Sequence, residues 1–501
     1  MSSDNNEIQQ NEPQLDIFEK CLKKTEEWRS KGIDPYGARF DGTLKISLVR
    51  TLFKENSETQ EHVRIAGRLM AYRAMGKSVF ADIKDSTGRI QLYIGKNTIG
   101  EENFDNFKRI DIGDIIGLDG ELFKTKTGEL SVKMHSFVIL SKSMKTLPEK
   151  WHGLTDIEAR YRQRYVDLIV NDEAKDVLYK RFAIVREIRK YLEEKDFLEV
   201  ETPMLQVLAG GAAAKPFKTY YEALSCSMYL RIAPELFLKR LLVGGFERVF
   251  ELNRNFRNEG LSRRHNPEFT MLELYQAYGD CRSMMDILEG MITAVSMKVN
   301  GTLKIEKSDG TVIDLTTPWR RAEYTELVKE RAGNDWFDIT PQERIAKAKT
   351  MGLKIEPGMA DFEVTNELYE KLIEQTLINP TFVTRLPAEL VPLAKKCSDN
   401  AKLVDVFELE INGQEIAPGY SELNDPVEQR KRFENQLNMN TVGNDFELCE
   451  GKIDEDFLNA LEYGMPPAGG MGMGIDRLVM LLTGSDSIRD VILFPHMKPK
   501  K

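Results

Sequence analysis

A loop rich in arginine lies between two stretches whose side chains alternate in polarity. The two stretches and the loop together run from Arg248 to Tyr278, and alternation of this kind predicts two β-strands. Guanidinium groups stay charged and form bidentate hydrogen bonds to the oxygens of phosphate or carboxylate groups. The hairpin therefore predicts a polyanion site, although a solvated basic surface hairpin has the same pattern. The loop, residues 257–267, contains these charged or titratable side chains: Arg257, Glu259, Arg263, Arg264 and His265.

Two acids lie inside these predicted strands, Glu251 and Glu273. A half-buried sheet disfavours charge, and isolated charges are rarely buried without a partner or a function. The two acids therefore favour a binding site over a solvated hairpin.

A second hairpin, residues 404–425, carries closely spaced carboxylates. Its Asn412-Gly413 pair is a strong signal for a two-residue turn, so we expect Glu408 and Glu415 to approach each other. Two carboxylates brought together repel unless a cation joins them. Mg2+ that bridges phosphates uses one or two carboxylates, with phosphate oxygens and water completing its octahedron. The hairpin predicts such a site, and two solvated edge glutamates are the alternative.

Small residues mark two further segments. The stretch 465–484 has four closely spaced glycines and then opens a helix that contains Arg477. Backbone amides and a helix N-terminus of this kind can face an anion. The loop 209–216, which contains Gly211, either lets a ligand approach the backbone closely or is a flexible turn.

Glu235 stands alone in an otherwise apolar run, just after a proline that opens a predicted helix. A carboxylate there can cap the helix or bind an ammonium group.

Amphipathic helices and short strands surround these segments. The periodicity predicts a helix over 177–195, a strand over 197–205, and a mostly helical insertion from about 284 to 378. The whole chain then divides into a polar tail and N-terminal helical extension over 1–60, a barrel over 61–145, a linker over 146–172 and a larger domain over 173–501.

The barrel is predicted from short alternating runs that turn signals such as Asp119-Gly120 separate. About five strands of this spacing are typical of a small closed antiparallel barrel, for which the OB-fold is the natural candidate. Such a barrel has many uses. Its exposed face would offer groups that stack on bases or contact phosphates, namely Arg64, Arg68, Phe80 and Gln91.

The composition is that of an ordinary globular chain. Of 501 residues, 41% are hydrophobic and 30% are charged, and no apolar run is long enough to cross a membrane. The five cysteines are scattered without C-x-x-C spacing, which favours a reducing cytoplasm and argues against structural zinc. With a net charge of −10, RNA contact requires a local basic patch.

The arginine loop and its flanks, FRNEGLSRRHNPEF followed by TMLELYQAY, closely resemble motif 2 of class II aminoacyl-tRNA synthetases in the form carried by the lysyl-tRNA synthetase family. GMGIDR resembles motif 3, and GRLMAYRAMGKSVFADIKDSTGRIQLYI resembles the anticodon-binding barrel of that family, bacterial members included. The resemblance implies an α+β fold, with an N-terminal OB-fold barrel and a catalytic antiparallel β-sheet flanked by helices.

The resemblance implies an AMP-forming aminoacyl-tRNA ligase, in which ATP activates L-lysine to lysyl-adenylate and lysine then passes to the 3′ end of tRNA(Lys). The first step joins two anions, so catalysis would consist mainly of positioning and charge neutralisation. Arg257 and Arg477 would be the catalytic residues. The ATP site would comprise Arg257, Glu259, Arg264, His265, Asn266, Phe269, Glu408 and Arg477.

Arg257 would bridge the lysine carboxylate and the α-phosphate, and Phe269 would stack under adenine. Glu408 and Glu415 would hold Mg2+, the one implied cofactor. The lysine site would comprise Gly211, Glu235, Arg257, Glu273, Tyr275, Tyr420, Glu422 and Gly472.

Within the lysine site, Glu235 fits the α-amino group, and Glu422 with Tyr275 would bind the side-chain ammonium. A buried ammonium paired with a carboxylate discriminates strongly against an uncharged isostere.

Further partners follow from the same resemblance. The barrel would bind the tRNA anticodon. The helix and strand over 177–205 would be motif 1, which forms the interface of a homodimer; an ordinary helix–strand unit has the same pattern. No membrane association is expected, and the cytoplasm is the expected location.

One departure from the family pattern concerns Pro418. The family usually has asparagine two residues before the aromatic residue that here is Tyr420. Proline has no side-chain donor or acceptor, so one substrate-orienting hydrogen bond is absent or replaced.

Three alternatives stay open at this point. The same fold could charge aspartate or asparagine, although the acids of the pocket would repel aspartate. A paralogue that lysylates a protein would lack the barrel. A catalytically inactive RNA-binding module would not need the intact arginines and glutamates.

Overall fold

The computed structural model describes residues 12–54, 61–148, 154–212, 214–439 and 452–500. The chain divides into two compact units, Met1–Leu154 and Thr155–Lys501. Residues 1–11 and 55–60 of the predicted tail and helical extension, residues 149–153 of the predicted linker, and Cys449 lie outside the described residues. The four-part division drawn from the sequence stays a prediction.

Unit 1 contains a closed five-stranded barrel with the strand order β1-β2-β3-β5-β4. The predicted OB-fold is therefore confirmed. Alternation decides the two faces: Val79, Ala81 and Ile83 are buried inside, whereas Phe80 points outward. The strands are β1 (His62–Met75), β2 (Ser78–Lys84), β3 (Arg89–Gly95), β4 (Ile115–Lys124) and β5 (Leu130–Ser141), and the helices are α1 (Glu12–Ser30), α2 (Ile46–Leu52), α3 (Lys96–Ile99) and α4 (Glu101–Phe107).

Unit 2 is built on an eight-stranded sheet with the order β14-β15-β16-β17-β18-β11-β10-β6 among its described residues. Its interior pairs are antiparallel, whereas the pairs at both edges are parallel. The predicted α+β class is therefore confirmed. The strands of the sheet are β6 (Leu198–Glu199), β10 (Arg248–Phe256), β11 (Glu268–Ala277), β14 (Arg320–Glu323), β15 (Thr381–Thr384), β16 (Val406–Glu410), β17 (Glu415–Ser421) and β18 (Ala468–Gly474).

Two small sheets and a set of helices complete unit 2. The small sheets comprise β7 (Leu205–Gln206), β8 (Lys218–Tyr221) and β9 (Cys226–Leu230), and β12 (Lys304–Glu306) and β13 (Val312–Asp314). The helices are α5 (Ile157–Arg162), α6 (Arg164–Val170), α7 (Asp172–Glu193), α8 (Glu235–Val243), α9 (Cys281–Asn300), α10 (Tyr324–Ala332), α11 (Pro341–Thr350), α12 (Asp361–Leu372), α13 (Pro426–Met439), α14 (Glu455–Glu462), α15 (Ile475–Thr483) and α16 (Ile488–Val491), with 3-10 turns at Glu222–Leu224 and Glu374–Thr376.

The large core lies on one face of the sheet. Leu272 and Leu274 of β11 pack there with Ile188 of α7 and with Met284 and Leu288 of α9. Because side chains alternate along a strand, the intervening residues of β11 point to the opposite face. Burial of these apolar side chains stabilises the fold by about 25 cal/mol per Å2. It therefore holds them on the core face and leaves the alternating residues of β11 on the opposite face.

The predicted strand over 197–205 is wrong in its length. Leu198 and Glu199 pair with β10, and the pairing ends with Val200, whose N donates to Phe250 O at 2.9 Å. Leu205 begins a strand of a different sheet. Pro203 lies between them, and proline cannot donate to a strand ladder.

The segment 284–378 contains the predicted helices, but it is not a separate helical body throughout. α9 packs in the core of the main sheet, and β14 extends that sheet beside β15. The remaining helices, α10, α11 and α12, pack together around Tyr324, Ala348 and Leu368.

Candidate active site

A cavity of about 400 Å3 lies over the sheet face opposite the large core. Residues of β11, β17 and β18 form its floor, and the predicted hairpin between β10 and β11 supplies its side. Thr270 and Asp476, which the sequence analysis did not select, are also in the wall. The wall contains these predicted residues: Gly211, Glu235, Arg257, Glu259, Arg264, His265, Asn266, Phe269, Glu273, Tyr275, Glu415, Tyr420, Gly472 and Arg477.

Arg257 follows directly after β10, and its backbone N donates to Pro267 O at 2.9 Å, which closes the arginine loop. Its guanidinium lies 5.1 Å from the centre of the Phe269 ring. The buried Nε of Arg257 has no hydrogen-bond partner within the described residues. Because an unpaired buried donor is costly, this atom fits an incoming anion.

Arg477 stands at the start of α15 beside the second hairpin. Its Nη1 donates to Glu415 O at 2.8 Å, and its Nη2 lies 3.4 Å from His265 Nε2. Burial and the nearby Arg477 charge lower the pKa of His265. The imidazole is therefore neutral at physiological pH, and the arginines carry the positive charge at this end.

The second hairpin has the predicted turn. Asn412 and Gly413 have φ of 58° and 64°, as a type I′ turn requires. The two-residue turn pairs Glu410, not Glu408, with Glu415 in the strand register, and a bulge between Glu410 and Leu409 then brings Glu408 opposite Pro418. Insertion of one extra residue shifts the pairing in this way.

Glu408 is not among the cavity-lining residues, but its partner in the strand register, Pro418, is. Residues directly opposite each other on neighbouring strands share one face of the sheet, so Glu408 is on the cavity side. Burial, and then the charge of Glu415, raise the pKa of Glu408 to about 8. A divalent cation would relieve this repulsion, and two carboxylates with phosphate oxygens suffice for Mg2+. The pair therefore fits Mg2+ carried by a nucleotide. In the described ranges, no group of three or more His, Cys, Asp or Glu side chains is arranged to hold a metal on its own.

Acids and phenols gather at the other end of the cavity. Tyr420 Oη donates to Glu235 Oε1 at 2.7 Å, and Tyr275 Oη donates to Glu273 Oε2 at 3.2 Å. Burial, and then the charge of Glu235, raise the pKa of Glu273 to about 8. This end of the cavity suits a cationic ligand.

Glu422 is not among the residues that line the cavity, and its predicted contact with the side-chain ammonium of a ligand stays a prediction. It is fully buried, and its Oε2 lies 2.5 Å from Lys239 Nζ. The sequence analysis missed Lys239, although its spacing four residues after Glu235 is that of a helical ion pair.

Glu251 is the strand acid that has a structural partner. Its Oε1 accepts from Arg231 at 2.6 Å and its Oε2 accepts from Thr202 at 2.6 Å, and both charged residues are buried. Of the two strand acids, only Glu273 lines the cavity.

The outer face of the barrel carries a row of aromatic rings. The Phe80 and Tyr93 ring centres are 5.3 Å apart, and those of Tyr93 and Phe123 are 5.9 Å apart. Gln91 lies on the same face and accepts from Ser131 Oγ at 2.9 Å. Tyr93 and Phe123 were not among the predicted residues, although alternation in β3 places Tyr93 beside Gln91.

The two predicted arginines of the barrel have intramolecular partners. Arg64 Nη1 lies 3.4 Å from Asp119, and its guanidinium lies 4.0 Å from the Phe40 ring centre. Arg68 Nη1 donates to Gly113 O at 2.6 Å.

A search of the described helices for one both long and apolar enough to span a bilayer finds none.

Comparisons with known proteins agree over nearly the whole chain. The family model of the tRNA synthetases class II (D, K and N) matches residues 156–498, and that of the OB-fold nucleic acid binding domain matches residues 63–140. A lysine–tRNA ligase from Pelotomaculum thermopropionicum is 54% identical over 482 residues, which cover 96% of this chain and 94% of that protein. A lysine–tRNA ligase from Staphylococcus haemolyticus is 50% identical over 487 residues, which cover 95% of this chain and 97% of that protein.

Proposed function

The chain belongs to the class II tRNA synthetases, and on that premise we propose that it activates L-lysine with ATP and transfers it to tRNA(Lys). The single observation that carries this proposal is the charge layout of one cavity. Arg477 lies at one end, Glu235 and Glu273 lie at the other, and Arg257 lies between them, where the charges of Glu273 and Arg477 both act on it. Such a cavity accommodates a nucleoside triphosphate beside an amino acid whose side chain carries a second ammonium group.

In the first step, the lysine carboxylate attacks the α-phosphate, and pyrophosphate leaves. Arg257 carries an unpaired donor between the two ends of the cavity, so it neutralises both reacting anions. Arg477 is fixed by its bond to Glu415 O and faces the departing phosphates. Preorganised donors of this kind stabilise charge at little reorganisation cost.

Glu408 and Glu415 would hold the Mg2+ that accompanies ATP, and the ion would neutralise phosphate charge. Phe269 supplies a flat surface for adenine. Glu235 orients the α-ammonium group, Glu273 is a further acid at the same end, and Tyr420 fixes Glu235 through its hydroxyl. None of these roles requires a side-chain nucleophile, because the substrate carboxylate is itself the nucleophile.

The test is amino-acid-dependent exchange of pyrophosphate into ATP on the purified chain. Lysine is expected to stimulate exchange, and aspartate and asparagine are not. The buried acids repel aspartate, and the neutral amide of asparagine offers those acids no ion-pair partner. Stimulation by aspartate or asparagine would assign the chain to another member of the same class. Absence of exchange with all three would favour the inactive RNA-binding alternative.

The barrel is the proposed anticodon site. Its row of Phe80, Tyr93 and Phe123 offers stacking surfaces, and base–aromatic stacking contributes about 1–3 kcal/mol per base. Phe80→Leu should raise the KM for tRNA in aminoacylation and leave lysine-dependent exchange unchanged. A change in exchange would contradict a role confined to tRNA.

A homodimer is the proposed assembly, and a cytoplasmic translation enzyme is the proposed context. α7 exposes Tyr179 and Phe182, which are 50% and 46% accessible, and the edge strand β6 exposes Leu198 at 54%. Exposed apolar side chains beside a free sheet edge suit a two-fold interface. Sedimentation of Phe182→Glu should show monomers where the unaltered chain shows dimers.

A further inference from the structure

Lys239 is a fully buried ammonium next to the amino-acid end of the cavity. α8 places it one turn after Glu235, and its Nζ lies 2.6 Å from Glu235 Oε1 and 2.5 Å from Glu422 Oε2. The side chains of Lys239 and Glu422 are 0% exposed, and that of Glu235 is 8% exposed. The Nζ also lies 5.5 Å from the centre of the Tyr420 ring.

Lys239 engages one oxygen of each carboxylate. On Glu235 the same oxygen, Oε1, also accepts from Tyr420, so Oε2 remains for another donor. Both oxygens of Glu422 are buried and have no hydrogen-bond partner of suitable geometry among the residues that the structure describes, but Oε2 lies 2.5 Å from the Lys239 ammonium, so Oε1 is the oxygen without a counter-charge. A buried carboxylate oxygen without a donor is costly, so Oε1 is suited to an incoming donor.

The unpaired oxygen of Glu422 lies directly against the cavity wall. A Cβ added to the wall residue Gly470 would stand 2.0 Å from Glu422 Oε1 and 2.5 Å from the Tyr275 ring. Only glycine therefore allows this carboxylate and Tyr275 to approach the wall at the same place.

Two buried carboxylates this close would repel each other without a counter-charge. Burial raises the pKa of Glu422 to about 8, Lys239 acts to lower it, and Glu235 acts to raise it further. Glu273, Tyr275 and Tyr420 are the other titratable groups that face this cluster. Removal of the ammonium would therefore favour the protonated form of Glu422 more strongly.

We propose that Lys239 is a positioning and specificity-determining residue for the amino-acid substrate. Its tethered ammonium holds Glu235 and Glu422 as a fixed pair of carboxylates, and each presents its second oxygen to one ammonium group of the substrate. The inference rests on the proposed lysine activation, because it assigns the two carboxylates to that substrate.

Selectivity follows from this arrangement. A substrate with an ammonium at the end of its side chain supplies the donor that Glu422 Oε1 lacks. A neutral analogue of the same length, such as norleucine, would leave that oxygen buried and unpaired. When binding of an analogue would leave a buried polar group of the site unpaired, the site discriminates against that analogue far more strongly than an apolar pocket does.

The test compares Lys239→Met with the unaltered chain in lysine-dependent pyrophosphate exchange. We expect the KM for lysine to rise about tenfold or more, because the variant loses the charge that holds the two lysine-binding carboxylates. The KM for ATP should change less than about twofold, because Lys239 holds no group proposed to bind ATP. The lysine KM of the variant should fall as pH rises, with its midpoint at higher pH than in the unaltered chain.

Lys142→Met is the matched control. Lys142 is a fully buried lysine of the barrel, with Nζ 2.7 Å from Asp111 and 2.9 Å from Asp114. Its loss removes a comparable buried charge from unit 1, whereas all residues that line the cavity belong to unit 2, so the lysine KM should not change. A rise in the lysine KM of this control would attribute the effect to general destabilisation and overturn the inference.

A double-mutant cycle keeps the inference testable if Lys239→Met folds poorly. Replacing both charges often restores a buried pair's stability. In a Glu422→Gln background, Lys239→Met should alter the lysine KM less than about threefold, because its effect acts partly through Glu422. Equal fold-changes in both backgrounds, or an unchanged lysine KM and pH profile, would overturn the inference. Absence of lysine-dependent exchange in the unaltered chain would instead overturn the proposed function.

Discussion

Arg181 of α7 donates to the buried carboxylate of Asp476 in α15, with Nη1 2.5 Å from Oδ1. The second oxygen of Asp476 accepts from Thr270 N at 2.8 Å, and Arg181 Nη2 donates to Thr270 Oγ1 at 3.1 Å. Thr270 and Asp476 are in the cavity wall, whereas α7 is the helix of the proposed dimer interface. One buried ion pair thus connects that helix to two walls of the site.

Breaking this pair should destabilise the chain and loosen the site. Arg181→Met leaves the Asp476 carboxylate buried without its cation, which typically costs about 3–5 kcal/mol. We expect a lower urea midpoint and a raised KM for ATP. Arg181→Met with Asp476→Asn removes both charges and should recover part of the urea midpoint, and a double variant less stable than either single variant would contradict this account.

Arg257 should matter for the rate of adenylate formation. Arg257→Gln removes the charge that neutralises both reacting anions, and loss of one preorganised donor typically lowers kcat about 10²- to 10³-fold. Single-turnover formation of adenylate measures this effect. Arg254→Gln on the same hairpin is the control, because that side chain is 38% exposed and its Nε lies 3.7 Å from Glu268. A similar loss in both variants would deny Arg257 a special role.

Glu415 and Glu410 should respond differently to the same substitution. Glu415→Gln removes a proposed Mg2+ ligand, so the Mg2+ concentration that gives half-maximal exchange should rise. Glu410 is buried, and burial followed by the charges of Glu408 and Glu415 raises its pKa to about 10. In the chain without a metal its carboxyl is therefore protonated at neutral pH, and glutamine closely mimics that form. Glu410→Gln should leave the Mg2+ requirement unchanged, and a higher requirement would place Glu410 among the ligands.

Glu273 should make the stability of the empty chain fall as pH rises. Its pKa is about 8 in the folded chain against 4.5 for the free side chain, so the folded state binds an extra proton between these values. Stability then decreases with pH across this window by at most about 1.4 kcal/mol per pH unit. Glu273→Gln should resemble the unaltered chain near pH 5 and have the higher urea midpoint at pH 8. Parallel midpoints across this range would refute the assignment.

Pro418 should influence lysine more than ATP. It lines the cavity between Glu415 and Tyr420 in β17, and it offers a ligand no side-chain hydrogen bond. Pro418→Asn supplies an amide at this place, so the KM for lysine should change more than the KM for ATP in pyrophosphate exchange. Equal shifts of both constants would contradict a local effect on the amino acid.

Local pattern was sufficient for the scaffold of the site. Alternation predicted β10 and β11, and the Asn412-Gly413 pair predicted the turn between β16 and β17, because both depend on near-neighbour backbone geometry. The arginine loop and the glycine-rich strand also lie in one cavity, as their motifs indicated.

Tertiary structure alone decided which charges remain available to a ligand. Glu251 and Glu273 stand opposite each other in the strand register, yet Arg231 neutralises the first and the second faces the cavity. Lys239 engages Glu422, which is far from it in sequence. The sequence determined the residue types, their periodicity and the turns. The partners of its buried charges depended on long-range packing, because ionic contacts act through space and no local periodicity encodes them.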